Sequence, residues 1–206
     1  MRIPIPGPIF RILYSIFDAD ASCEAAKLDV RLYEYSWIMA KIAKLPIGNL
    51  IDIGCTARIN MIVATACELN WNVKGVDIRN FEYQHPNFQF FHGDITDQEL
   101  IRTWIETIDV AVALSSIEHF GFEIYGNKKN NLNADKEAIA AIYQILKPGG
   151  CLLLTVPYTT EKGYVYANTR HYDMEQLICL IEDWEVKDFK IVGEDRTQTA
   201  MIMARK

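Results

Sequence analysis

Between Leu50 and Pro157 the chain repeats one arrangement that few folds accommodate. Four short apolar runs each end at an acidic or small polar residue: Leu50-Ile51-Asp52-Ile53-Gly54, Gly75-Val76-Asp77-Ile78, Phe91-His92-Gly93-Asp94-Ile95 and Val112-Ala113-Leu114-Ser115-Ser116. A fifth is announced by Leu146-Lys147-Pro148-Gly149-Gly150 and continues as Cys151-Leu152-Leu153-Leu154-Thr155-Val156, apolar almost throughout, as a strand buried on both faces must be. Open parallel sheets bind ligands beyond the carboxyl ends of their strands, so the residues closing these runs stand at a ligand edge.

Helical spacing fills the gaps. Leu28, Leu32, Tyr35, Ile38, Met39 and Ile42 predict one long helix from about Ala21 to Lys44, stopped before Pro46. Ile59 to Leu69 and Glu99 to Glu106 read as crossover helices, and Asn133 as the N-cap of a helix from Ala134 to Leu146. Asp173 with Gln176 has the form of a capping box for a helix through Ile181. Trp184 to Val192 and Thr199 to Ala204 are separated by so short a loop that they must pair antiparallel.

With 206 residues, half of them hydrophobic, the chain has enough apolar material for a sizeable core. A net charge of -6 argues against a phosphate-backbone binder and hence against nucleic acid as partner, since such binding needs a basic stripe. Cys23, Cys55, Cys67, Cys151 and Cys179 are scattered without paired spacing, which suits buried thiols in a reducing cytoplasm rather than disulfides or zinc. No metal site is expected, because Glu118, His119 and His171 form no close ligand pattern. The apolar stretch from Ile9 to Phe17 is too short to cross a bilayer, which takes about 20 residues. A helix that packs on the domain or covers a bound ligand is the favoured reading for it, ahead of a membrane-surface or partner-binding segment.

In this order the motifs resemble the class I S-adenosylmethionine-dependent methyltransferases, over about Asn49 to the C-terminus. The resemblance implies a Rossmann-like three-layer α/β sandwich, with a mostly parallel seven-stranded sheet of order 3-2-1-4-5-7-6 and an antiparallel C-terminal hairpin. Residues 1–48 would form an N-terminal helical extension and 49–206 the cofactor-binding domain. S-adenosyl-L-methionine is the implied cofactor. Its contacts would come from Asp52 and Gly54 at the first strand, Asp77 on the ribose hydroxyls with Ile78 beside it, Asp94 and the Ile95 amide on adenine, and Ser115 and Ser116 near the departing methyl. His85-Pro86-Asn87-Phe88, Ser116-Ile117-Glu118-His119-Phe120-Gly121 with Tyr125-Gly126, and Thr155-Val156-Pro157-Tyr158 are similar to a subgroup associated with surface-polysaccharide genes. That similarity implies a small-molecule acceptor, a sugar or sugar-nucleotide hydroxyl.

O-methylation needs a base, and His119 with Glu118 beside it are the candidates, because imidazole titrates near working pH. The segment from Tyr158 to Tyr172 is dense in aromatics and polar donors that suit a sugar ring. Tyr158, Tyr166, Asn168, Arg170, His171 and Tyr172 are its expected acceptor contacts. The family's glycine-rich turn is broken here by Thr56 and Arg58. Two explanations stand: a degenerate, non-catalytic binding module, or an Arg58 that pairs with the cofactor's carboxylate. A nicotinamide-dependent oxidoreductase is the more distant rival. Tyr125 and Lys129 have a Y-x-x-x-K spacing, but Gly126 and Asn127 between them disfavour the helix that would align them.

Overall fold

The computed structural model describes residues 25–56, 61–124, 131–193 and 198–206. The segment from Ile9 to Phe17, Cys23, the start of the first predicted helix, Arg58, Tyr125 and Lys129 lie outside them. In chain order the elements are α1 (Ala25–Ile42), β1 (Asn49–Ile53), α2 (Met61–Glu68), β2 (Asn72–Asp77), β3 (Phe88–His92), α3 (Gln98–Trp104) and β4 (Ile108–Leu114). A 3₁₀ turn (Ile117–His119) comes next, then α4 (Ala134–Ile145), β5 (Leu146–Pro157), β6 (Tyr164–Tyr166), β7 (Thr169–His171), α5 (Met174–Leu180), β8 (Glu185–Val192) and β9 (Thr199–Arg205).

Seven strands form one sheet in the order β3-β2-β1-β4-β5-β9-β8. The pairs from β3 to β5 are parallel, while β9 runs antiparallel to both β5 and β8. Numbered within this sheet alone, the order is the predicted 3-2-1-4-5-7-6. Strand residues alternate between two cores, as a period of two requires. Leu50, Val110 and Leu153 face α1 and α2, where Trp37, Ile38 and Ile42 pack with Ile62 and Val63. Ile51, Ala111, Leu152 and Leu154 face the opposite layer, built from Ile101 and Trp104 of α3, Ile139 and Ile142 of α4, and Leu177 of α5. Helix α1 therefore shares the sheet's own core. It also reaches β8, where Asp188 accepts from the Trp37 indole at 3.3 Å and from Lys41 at 2.6 Å. No helix among the described residues is long and apolar enough to cross a membrane.

Local chemistry explains most element ends and several departures from expectation. Asp173 and Gln176 form the predicted capping box of α5. Asn133 precedes α4 but makes no side-chain cap; its own N–H donates to the Asn131 side chain. The third strand ends at His92, short of Asp94, the acid expected to close it. Asp94 and Asp97 close a turn there, and the Asp97 carboxylate caps α3 by accepting from the Glu99 N–H at 2.8 Å. Helix α4 passes directly into β5 at Leu146, so Lys147 to Gly150 lie within the strand as a bulge between the Ile108 and Val110 pairings, with Gly149 at φ +79°. Cys55, Cys67 and Cys151 are buried thiols as expected, but Cys179 is exposed on α5.

Candidate functional site

The carboxyl ends of β1, β2, β4 and β5 meet along one edge of the sheet. Gly54 closes β1 at φ +77°, and a Cβ there would stand 2.6 Å from the Ser116 Cβ. Only glycine permits both that backbone and that approach of the β1 turn to the residues after β4. Asp52 precedes it, buried in β1, and Asp77 closes the neighbouring β2.

These two acids are in different electrostatic states. Asp77 is buried, which alone would raise its carboxyl, but hydrogen bonds from Arg79 and Thr56 outweigh burial and hold it below the ordinary value. Its Oδ2 accepts from the Thr56 N–H at 3.0 Å, the Thr56 hydroxyl at 2.7 Å and Arg79 Nη2 at 3.2 Å. Its Oδ1 accepts from the Arg79 N–H at 2.8 Å and Arg79 Nε at 3.2 Å. Asp52 is pushed up to about 7, chiefly by burial and then by the charge of Asp77.

A group whose pKa rises from 3.8 to about 7 on folding favours the folded state fully below the lower value, and that contribution is lost as pH rises through the upper one. Stability should therefore decline between pH 5 and pH 8, and Asp52→Asn should flatten the decline and leave the protein more stable than wild type at pH 8. Urea unfolding of both proteins at the two pH values decides this. An equal decline in the two would show that Asp52 is already ionised in the folded protein.

Beyond β4 the chain turns sharply. Ser115 adopts φ +43°, and the turn after it carries Glu118 and His119. Among the described residues the buried Ser116 Oγ and Glu118 Oε2 have no hydrogen-bond partner. Glu118 is pushed up to about 8, first by burial. His119 is lowered, first by burial and further by the positive charges of Arg31 and Arg79, against the raising effect of the Asn168 carbonyl. Its Nδ1 lies 3.2 Å from that carbonyl and 3.4 Å from the Thr169 hydroxyl, and its Nε2 lies 3.9 Å from Glu118 Oε1. An Nδ1–H donated to the carbonyl leaves Nε2 as the basic nitrogen.

Asn168 reaches His119 because the segment predicted as an acceptor loop folds into the β6–β7 hairpin. Ala167 and Asn168 at its tip have φ +49° and +58°, the backbone of a two-residue hairpin turn. Within this segment the structure separates interior groups from exposed ones. Arg170 is buried: its guanidinium donates to the carbonyls of Phe120, Asn131 and Leu132, pairs with Asp135 at 3.5 Å and lies over the Phe122 ring at 4.5 Å. Tyr172 donates to Asp135 at 3.1 Å, and Tyr158 is buried beside it through an isolated bridge. Through Asp135, Arg170 and Tyr172 hold the hairpin to α4. Tyr166 is exposed, and His171 stacks on Tyr164 with ring centroids 4.7 Å apart.

At the far side of the edge, Asp94 is exposed and its Oδ1 accepts from the Thr96 N–H and hydroxyl, both at 2.9 Å, while Ile95 is in the core. Ile78 is exposed and its carbonyl lies 2.9 Å from His92 Nε2. His85 Nδ1 accepts from the Asn87 N–H at 3.1 Å, so both histidines serve local structure.

Two groups at this edge are not among the residues expected from the sequence. Arg79 is one; its signal was a guanidinium two residues past a strand-end acid. Glu34 is the other. It is buried on α1, with Oε1 accepting from the Ser115 and Thr155 hydroxyls, each at 2.6 Å. A glutamate four residues before Ile38 and eight before Ile42, on the apolar stripe, marked it.

Solved structures share this fold. The Burkholderia thailandensis 1,6-didemethyltoxoflavin-N1-methyltransferase, solved with 1,6-didemethyltoxoflavin and S-adenosylhomocysteine, is similar at 16% identity and a TM-score of 0.62, over 100% of this chain and 92% of its own. The N-methyltransferase NodS from Bradyrhizobium japonicum is similar at 12% identity and 0.60, over 85% and 96%. The [4+2]-cyclase SpnF is similar at 15% and 0.63, over 96% and 92%, so the fold alone does not select a reaction. No curated protein matches the chain in sequence. One family model does match, over residues 73–204, from the end of the first crossover to the last strand, and the chain thus belongs to the family described as Caenorhabditis protein of unknown function, DUF268.

Proposed function

We propose that this protein is an S-adenosylmethionine-dependent methyltransferase acting on a small-molecule hydroxyl, that of a sugar or sugar nucleotide. The observation that supports this most is the convergence of Gly54, Asp77 and the Ser115–His119 turn at the carboxyl ends of adjacent strands β1, β2 and β4. Gly54 lets the β1 turn close against Ser116 without a side chain between them, and Asp77 is an acid held below its ordinary value at the end of the next strand, where a ribose diol would lie. Asp52, Ile78, Ser115 and Ser116 border that ligand, Asp94 and the Ile95 amide take the adenine, and Arg58 pairs with the cofactor carboxylate.

Bound S-adenosylmethionine would supply an electrophilic methyl group. The chain's own part is position and proton transfer. His119 is neutral at working pH and takes the acceptor's hydroxyl proton at Nε2, while the Asn168 carbonyl fixes the ring and Glu118 lies beside the basic nitrogen. Exposed Tyr166 and Asn168 and half-buried His171 on the hairpin meet the acceptor, and Arg170 and Tyr172 hold that hairpin in place with Tyr158 buried beside Tyr172. Thiols at Cys55, Cys67, Cys151 and Cys179 fit a cytoplasmic protein.

One observation favours a second reading. Both oxygens of Asp77 are already engaged by Thr56 and Arg79, as in a binding module that has lost its nucleoside. Calorimetry with S-adenosylmethionine, S-adenosylhomocysteine and NAD separates the readings. Saturable binding of the first two supports the methyltransferase, binding of NAD alone an oxidoreductase, and binding of none the module.

A further inference from the structure

Ser115 stands in a backbone region that side chains avoid, because Cβ crowds the following carbonyl. It is held there from two directions. Its N–H donates to the Thr155 carbonyl and hydroxyl, both at 3.0 Å, and its own hydroxyl donates to Glu34 Oε1. The same oxygen accepts from Thr155, and Glu34 Oε2 accepts from Arg31 at 3.0 Å. One buried carboxylate thus ties α1 to the ends of β4 and β5.

Docking of α1 does not need this group. Trp37, Ile38 and Ile42 already bury the helix, and Lys41 and Trp37 tie it to Asp188. Burying a carboxylate is costly without several good partners, so its presence calls for a role of its own. That role lies just past Ser115, where the Ser116 side chain meets Gly54 and the turn then presents Glu118 and His119.

We infer that Glu34 is a positioning residue, which holds Ser115 in its left-handed conformation and so aims the Ser116–His119 turn at the ligand edge. The N-terminal helix is then part of the site rather than an appendage. The inference rests on the proposed function only in taking that turn to border the methyl donor.

The test compares two variants that both lack the Ser115 hydroxyl. Ser115→Ala retains a Cβ that disfavours the left-handed region, whereas Ser115→Gly takes it freely. The readout, in the protein without ligand, is the titration of the His119 imidazole by NMR. Among the groups facing His119 are Glu118 on its own turn, Asn168 and Thr169 from the hairpin, and the charges of Arg31 and Arg79. In wild type burial lowers its pKa from the ordinary imidazole value. In Ser115→Ala the turn relaxes and the value rises toward 6.5, while Ser115→Gly stays near wild type.

Glu34→Ala should raise it as well, although losing a negative charge would by itself lower it, and Glu34→Ala with Ser115→Gly should bring it back. A helix anchor with no positioning role would lower Tm in both Glu34 variants and leave His119 where it was. Identical titrations in Ser115→Ala and Ser115→Gly, or no return in the double variant, overturn the inference. Should Glu34→Ala not fold, the Ser115 pair, in which α1 keeps its other contacts, decides alone. In a second arm, S-adenosylhomocysteine affinity should fall about tenfold in Glu34→Ala and largely recover in the double variant, a loss of the size expected for one charged hydrogen-bonded contact. Absence of binding by wild type would refute the methyltransferase reading while the titration still judges Glu34.

Discussion

His119→Ala should lower turnover by about 10² to 10⁴ while leaving S-adenosylhomocysteine affinity within a few fold of wild type, the pattern of a lost general base. The size comes from its setting. Burial and the charges of Arg31 and Arg79 lower the imidazole and so favour its neutral, basic form. The Asn168 carbonyl then specifies which nitrogen carries the proton. The acidic limb of the pH–rate profile should accordingly lie below 6.5, and it should vanish in the variant. Asn168→Ala makes a control, since it keeps the backbone carbonyl and removes only the side chain; it should act on acceptor KM rather than on the acidic limb. The measurement is steady-state methyl transfer to a panel of sugar nucleotides and deoxysugars. Turnover that survives His119→Ala within a few fold would make the ring structural and move attention to His171.

The parts of this molecule that were legible in its sequence are those set by local, repeating physics. Strands β1, β2, β4 and β5 announced themselves because a buried parallel strand must be apolar and must stop at the ligand edge. The Asp173–Gln176 box could be read because capping is a three-residue interaction. Asp52, Asp77 and the Ser115–His119 turn do come together, since strand order alone brings those ends into one row. What was not legible depends on contacts distant in the chain. Glu34 meets Ser115 and Thr155 only once α1 has docked, and nothing near Glu34 in the sequence specifies them. Arg170 reads in the sequence as an acceptor contact beside aromatics, but four acceptors from Phe120 to Asp135 surround it in the fold. The β6–β7 hairpin was hidden because its tip is Ala-Asn, where a turn of that kind is usually announced by glycine.

Asp77 and Arg79 should show opposite effects on nucleoside binding. Asp77→Ala removes an ionised, buried acceptor, and charged hydrogen bonds contribute on the order of 1.5 to 3 kcal/mol, so S-adenosylhomocysteine affinity should fall at least about tenfold. Part of that loss is masked in wild type, because a ribose diol must displace donors already on the carboxylate. The Thr56 hydroxyl and two backbone N–H groups come from the turns themselves, whereas the Arg79 fork is a side chain that can swing away. Its side chain is 37% exposed, so water weakens the ion pair and the displacement costs only about 0.2 to 1 kcal/mol. Arg79→Ala should therefore tighten S-adenosylhomocysteine by a few fold. Removing the guanidinium also lets the Asp77 carboxyl rise, so the gain should be clear at pH 8, where Asp77 stays ionised, and shrink toward pH 5. Titration calorimetry of both variants at the two pH values measures this. Weaker binding in Arg79→Ala would mean that the guanidinium holds the ligand as well as the acid. Unchanged binding in a folded Asp77→Ala would remove the end of β2 from the site altogether.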